Sequence, residues 1–391
     1  MASPRIYFDH NATALLRPEA RVAMIAALDM PGNASAIHAE GRIARGAAER
    51  AREAVASLCG AEAKNVTFTS GATEALSLAL SPHWQDGAEK PPLDALLISA
   101  TEHSAALQGH RFPAEAVEVL PVARDGRIEL DALDEALARR PGQRIMVALQ
   151  TANNETGVLQ PIGDVAARVH AVGGLMAVDA VQSAGKMTLD IRAMGADLLI
   201  VSAHKIGGPS GVGALIRIRE ALHLTEPMLR GGGQEKGLRA GTANVTGIVG
   251  FGAAAEAAAQ QIEYEAAQLA SFCDRLEIGL KDIAPDFVVF GEGAPRLPNT
   301  VAFAVPGISS ETALMALDLA GLAVSAGSAC SSGKVQISHV LDAMGVDPQL
   351  ARGLIRISLG WSTTEEEVRH ALAILDRELS ILRVRAQGRA A

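Results

Sequence analysis

From Val66 onward the sequence repeats one unit, a short apolar run followed by a stretch with helical spacing. The runs VTFT (66–69), ALLIS (95–99), VEVL (117–120), IMVALQ (145–150), LMAVD (175–179), DLLIVSA (197–203) and GALIRI (213–218) read as strands. Segments 72–80, 103–113, 131–139 and 161–172 read as helices between them, and an amphipathic helix precedes them over 42–58. Strands that alternate with helices join most simply as crossover units. The alternation therefore predicts an α/β domain built on a mainly parallel sheet.

The repeat stops near residue 246, where an Ala-rich helical stretch runs to 281. Strands at 286–290, 299–305 and 353–359 and a helix at 310–320 follow. A last helix opens at Thr364, with Glu367 three residues on to complete a capping box. This part reads as a second, smaller α+β domain. The expected division is a large domain over 15–260 and a small one formed by 1–14 and 261–391. Segment 81–94, rich in Pro, Asp and Lys, reads as a linker.

Composition narrows the function. A net charge of −9 argues against a broad nucleic-acid face. No apolar run approaches the roughly 18 residues that span a bilayer, and Met1–His10 lacks a signal-peptide core. The expectation is a cytoplasmic protein with neither nucleic acid nor membrane as partner. Three cysteines, Cys59, Cys273 and Cys330, are too few for a disulfide framework, and without a CxxC no metal site is expected. Cys59 and Cys273 fall in helical patterns and read as small core residues. Cys330 stands among Ser, Ala and Gly, a loop composition unsuited to packing, with Lys334 its nearest charge.

The segment VSAHKIGGPSGVGAL (201–215) places Lys205 at the end of a buried strand. Desolvation lowers a lysine's pKa and creates an amine suited to Schiff-base formation. A surface lysine just past a strand end fits this segment as well. Asp179 ends the strand before it, on the side where open α/β sheets bind ligands, although a helix N-cap is an alternative. Pyridoxal phosphate uses both groups, an amine for its aldehyde and a carboxylate for its ring nitrogen. FTSGATE (68–74) joins a strand to a helix whose free N–H groups can cradle a phosphate, or it is ordinary capping. Two nucleotide motifs fail. AGSACSSGKV (326–335) has five residues between Gly327 and Gly333 where the NTPase loop has four, and Val335 in place of Ser/Thr; GVGALI lacks a third glycine.

Taken together, these motifs resemble the cysteine desulfurases of the class V aminotransferase superfamily, in the nitrogen-fixation and iron–sulfur group. The similarity runs from YFDHNAT (7–13) to LGWSTTEEE (359–367). It includes FTSGATE, TEH (101–103), ANNETGVLQ (152–160), VDAVQS (178–183), SAHK (202–205), GGGQEKGLRAGT (231–242), SAGSACSSG (325–333) and IRISLG (355–360). The resemblance implies fold type I of the pyridoxal-phosphate transferases, a homodimer, and release of alanine from L-cysteine with sulfur held as a persulfide on Cys330. Lys205 would carry the cofactor, Asp179 would meet the pyridine nitrogen and Gln182 the phenolic oxygen. His103 would stack on the ring and move protons. Ala72, Thr73, Ser202 and His204 would hold the phosphate, with Thr242 reaching it from the other subunit. Asn154, Arg356 and Asn33 would line the substrate pocket, Asn154 and Arg356 gripping the carboxylate.

Sulfur would pass to an acceptor protein such as an iron–sulfur scaffold, and Cys330 would touch a cluster only in transit. Departures from the family pattern are GNASAIH (32–38), the NATA of 11–14, and Ile337 where proline is frequent. Housekeeping relatives dock the scaffold through a longer C-terminal tail, so docking by that route is not expected here. A selenocysteine lyase or aminotransferase of the same fold is the nearest rival reading. A sulfur-delivery partner that kept the fold without the chemistry is the rival from another class.

Overall fold

The computed structural model describes residues 5–87, 91–326 and 337–390. Seven strands form the central sheet in the order Val66–Thr69, Gly213–Arg217, Leu198–Ser202, Leu175–Asp179, Ile145–Gln150, Ala95–Ser99, Val117–Leu120. All neighbours pair in parallel except Gly213–Arg217, which runs against both of its partners. Strands Ala95–Ser99, Ile145–Gln150 and Leu198–Ser202 are buried along their whole length, as expected of a sheet covered on both faces. Alternate residues feed two cores. Leu97, Val147, Val178 and Leu199 point to one, packed under helices Ala39–Leu58, Leu130–Ala138 and Ile162–Ala171. Leu96, Ile98, Met146, Ala148 and Ile200 point to the other, with helix Ala72–Ala79 and the buried Trp84.

A separate antiparallel sheet is ordered Val288–Val289, Thr300–Ala304, Ile355–Ser358. Helix Glu365–Ala390 and the second half of helix Val245–Ile283 cover it. The second of these has 39 residues, a length of about 58 Å at helical rise. Ile248, Phe251 and Ala254 on its first half enter the core of the large sheet; Leu269, Phe272, Leu276 and Leu280 enter that of the small one. Gly252 lets this helix touch Ala39–Leu58, since a Cβ there would lie 2.5 Å from Ala51. The N-terminal strand Ile6–Tyr7 pairs in parallel with Leu322–Ala323, and Ile6 and Phe8 join the second core.

Most sequence-predicted elements are present to within three residues. The capping box forms, with Glu367 N–H bonded to Thr364 Oγ1 at 3.2 Å and Thr364 N–H to Glu367 Oε2 at 2.8 Å. Two expectations need correction. Of the helix expected over 103–113 only Ser104–Leu107 exists, because Gly109 and Pro113 follow closely. Within the expected linker, Trp84–Asp86 is a strand paired with Leu222–Leu224, and Trp84 is wholly buried with its indole N–H on the Ala79 carbonyl at 2.8 Å. One aromatic outweighs the surrounding polar composition. Helix Pro18–Leu28, opened by a proline in its first turn, adds to the expected set.

Arg17 locks the N-terminal segment to the middle of the long helix. Its guanidinium bonds both oxygens of Glu265, at 2.9 and 2.7 Å, and its Nε–H bonds the Ile206 carbonyl at 3.0 Å. Both side chains are almost fully buried. Removing one partner strands a buried charge, so Glu265→Ala is expected to lower unfolding stability by about 3–5 kcal/mol. Urea denaturation measures it, and a loss below about 1 kcal/mol would contradict this role.

Candidate active site

The carboxyl ends of three adjacent parallel strands meet at one edge of the large sheet. Gln150 pairs with Asp179, and Asp179 pairs with Ile200, two residues before the strand ends at Ser202. One helical turn, Ala203–Lys205, then carries Lys205 over that edge. Gly213 pairs with Ser202 on one side and Thr69 on the other, which brings the Ser70–Thr73 turn beside Ser202. A Cβ on Gly213 would lie 2.6 Å from the Gly71 carbonyl carbon, so only glycine permits this approach. The result is a cleft of about 380 Å³.

Of the residues singled out from sequence, Ala72, Thr73, His103, Asn154, Asp179, Gln182, Ser202, His204 and Lys205 line this cleft. Asn33, Thr242 and Arg356 do not. Asn33 and Thr242 are exposed elsewhere on the surface. Arg356 is buried behind the wall, its guanidinium bonded to Asp9 Oδ1 at 2.7 Å and to the Asn154 carbonyl at 2.9 Å, while its Nε has no partner among the described residues. Cys330 lies outside the described residues. The described residues flanking that stretch are fastened to the cleft's surroundings. Ser325 exchanges main-chain bonds with Arg356, Ser338 donates to the Glu155 carboxylate, and His339 Nε2 meets the Glu102 carbonyl at 2.9 Å.

Burial sets the electrostatics. Lys205 is lowered to about 8 by desolvation and by Arg356, against the pull of Asp179 and Asp9. Its Nζ donates to the carbonyls of Asn11 and Ala12, at 2.5 and 2.8 Å. Asp179 is raised to about 6 by burial, which outweighs the Val181 N–H bond to its Oδ1 and the charge of Lys205. His204 falls to about 4 through burial, then Lys205 and Lys186. His103 is open to solvent at the mouth, yet crowding by protein and then by Lys205 and His339 keeps its pKa below the ordinary value. Its Nδ1 accepts the Ala105 N–H at 3.1 Å, which puts the neutral ring's proton on Nε2.

Sequence reasoning missed several groups that hold this arrangement. Glu74 accepts the Ser70 N–H at 2.7 Å and pairs with Arg239, so it braces the anion-binding turn from behind. Glu102 takes the Gln150 N–H, and burial next to Asp179 holds its carboxyl well above the usual range. Asn11 and Lys186 stand under Gln182 and Lys205. The TEH, NAT and QSAGK strings were visible, but nothing in them tells which side chain faces inward.

The arrangement offers an amine, a carboxylate and an anion-binding helix N-terminus in one cleft, the set that pyridoxal phosphate needs. Cys59 and Cys273, by contrast, are buried core thiols, the first pushed up to about 12 and the second further. Iodoacetamide is expected to leave both unlabelled in the native protein and to label both in urea. Native-state labelling of either at the rate of a free thiol would contradict their burial.

The Aminotransferase class-V family description matches residues 6–370. A cysteine desulfurase of Cereibacter sphaeroides is 42% identical over 95% of each chain. An IscS-like cysteine desulfurase of Mycobacterium tuberculosis is 38% identical, covering 94% of this chain and 95% of the relative. A solved NifS-like protein from Rickettsia africae superposes with a TM-score of 0.85 at 32% identity, over 96% of this chain and 99% of that one. This chain therefore belongs to the class V aminotransferase family and, within it, to the cysteine desulfurases.

Proposed function

We propose that this protein is a pyridoxal-phosphate-dependent cysteine desulfurase, converting L-cysteine to L-alanine and holding the sulfur as a persulfide on Cys330. The observation that carries the reading is the pairing of Lys205 with Asp179 at neighbouring strand ends, in one cleft with the helix N-terminus at Ala72. The two cores support a large cofactor-binding domain over 15–260 and a small one from 1–14 and 261–391.

Pyridoxal phosphate, when bound, supplies a carbonyl that condenses with amines and a ring that takes up the electron pair released at Cα. Lys205 would hold the aldehyde end; near pH 8 its amine is part deprotonated, as a nucleophile must be. Asp179 has one oxygen on Val181 N–H and the other for the ring nitrogen, whose proton a carboxylate stabilises. The N–H groups at Ala72 and Thr73, with Ser202 and an uncharged His204, would donate to the phosphate. His103 is neutral at physiological pH and takes a proton once its cap bond to Ala105 opens. Asn154 and Arg356 receive the substrate carboxylate, Arg356 leaving Asp9 to do so.

Cys330 as thiolate attacks the substrate sulfur. An S–S bond forms, the Cβ–S bond breaks, and its electron pair leaves with Cβ, which is then protonated to give alanine. The rim bonds of Ser325, Ser338 and His339 support this role, because they fasten both flanks of the Cys330 stretch around the cleft. The persulfide then passes to an acceptor protein such as an iron–sulfur scaffold. A homodimer, with Thr242 reaching the neighbouring site, accords with the exposed apolar residues Val22, Ile25 and Leu28 on one helix. Among the described residues no helix is long and apolar enough to cross a membrane.

The purified protein is expected to be yellow, to change its visible absorption with cysteine, and to carry added sulfur on the Cys330 peptide by mass spectrometry. Lys205→Ala should lose the lysine-bound absorption band. Cys330→Ser should keep the cysteine-induced change and release almost no alanine, since a hydroxyl is far less acidic than a thiol. Sulfur on Cys59 or Cys273 instead, or full turnover by Cys330→Ser, sinks the assignment. Arg356→Lys keeps the charge but loses the fork, so the KM for cysteine should rise about tenfold. An unchanged KM would move the carboxylate site elsewhere.

A further inference from the structure

Lys186 is a buried lysine that the reaction just described does not use. It is 7% exposed and makes no ion pair among the described residues. Around it stand Lys205, Arg356, His10 and His204, and burial followed by the charges of Lys205 and Arg356 holds its amine well below the usual lysine range. Asp9 is bound to Arg356, and Asp179 acts on Lys205. A lysine so placed costs stability unless its amine is hydrogen-bonded.

Those bonds have a definite sense. Nζ donates to Gln182 Oε1 at 2.9 Å and to Asn11 Oδ1 at 3.1 Å. Asn299 also donates to Asn11 Oδ1, while Asn11 Nδ2 donates to Thr300 and to the Asn154 carbonyl, so the Asn11 amide cannot turn over. Gln182 is held likewise. With Oε1 on Lys186, its Nε2 faces the Asn11 carbonyl at 3.0 Å and keeps a second N–H for the cleft. Lys205 Nζ bonds that same carbonyl, so the Gln182 N–H stands next to the lysine that takes the cofactor's aldehyde. The acceptor beside that aldehyde on pyridoxal phosphate is the phenolic oxygen.

We propose that Lys186 is a positioning residue which, by occupying Gln182 Oε1, makes Gln182 an obligate hydrogen-bond donor to the cofactor's phenolic oxygen. The proposal rests on the cofactor reading above. An N–H bond to that oxygen favours its anionic form and weakens its hold on the proton it shares with the nitrogen of Lys205. Losing the oriented donor should therefore raise the pH at which that proton leaves.

The test is a pH titration of the visible absorption of holoenzyme, in wild type, Gln182→Ala, Lys186→Met and the double variant, with far-UV circular dichroism to confirm folding. The midpoint should rise by about one pH unit in each single variant and no further in the double. A Lys186→Met midpoint equal to wild type overturns the proposal, and so does an additive double variant, which would mean that Lys186 acts by charge. An unchanged midpoint in Gln182→Ala overturns it alone. Should Lys186→Met not fold, Lys186→Gln keeps an N–H without the charge and must hold the wild-type midpoint; a shift matching Gln182→Ala overturns the proposal. Wild type that binds no cofactor would instead sink the cofactor reading itself.

Discussion

Asn11 is where the two sheets are bolted together. Its main-chain carbonyl takes Lys205 and Gln182 from the large sheet, and its main-chain N–H bonds Ser358 of the small one. Its side chain reaches Thr300 and Asn299 on one side and Lys186 on the other. Shift this residue and the amine of Lys205, the amide of Gln182 and the position of the Asn154 carbonyl all shift with it. The cleft thus depends on a short segment near the start of the chain, held by Arg17 and by pairing with Leu322–Ala323.

The charges in the cleft are set by burial more than by partners. Asp179 and Lys205 each have burial as the largest influence, and it moves them toward one another. Such a pair stays near neutrality in its balance of charge while each group remains able to change state. The surrounding histidines are kept uncharged by the same cause. A set of donors and acceptors poised this way suits repeated proton movement better than a tight, fully ionised salt bridge would.

Much of this was legible in the sequence, for physical reasons. Parallel strands buried on both faces leave continuous apolar runs, so LMAVD and DLLIVSA announced themselves. Lys205 and Asp179 stood out because charged residues at the ends of such runs are unusual. The strand at Trp84 did not, since three residues in polar company carry no period to read. Lys186 was hidden for another reason: the turn from Asp179 to Lys186 has neither helical nor strand spacing, so its inward lysine looks like any surface one. Arg356 was visible as a residue, but its link to Asp9 joins positions far apart in sequence, which no local pattern reveals.

The long helix Val245–Ile283 behaves as a spar. Between Ala255 and Leu269, where it passes from one core to the other, it contains neither glycine nor proline. Sharp bends in helices arise at such residues, so this span resists flexing. One unbroken rod thus sets the spacing of the two cores along its axis.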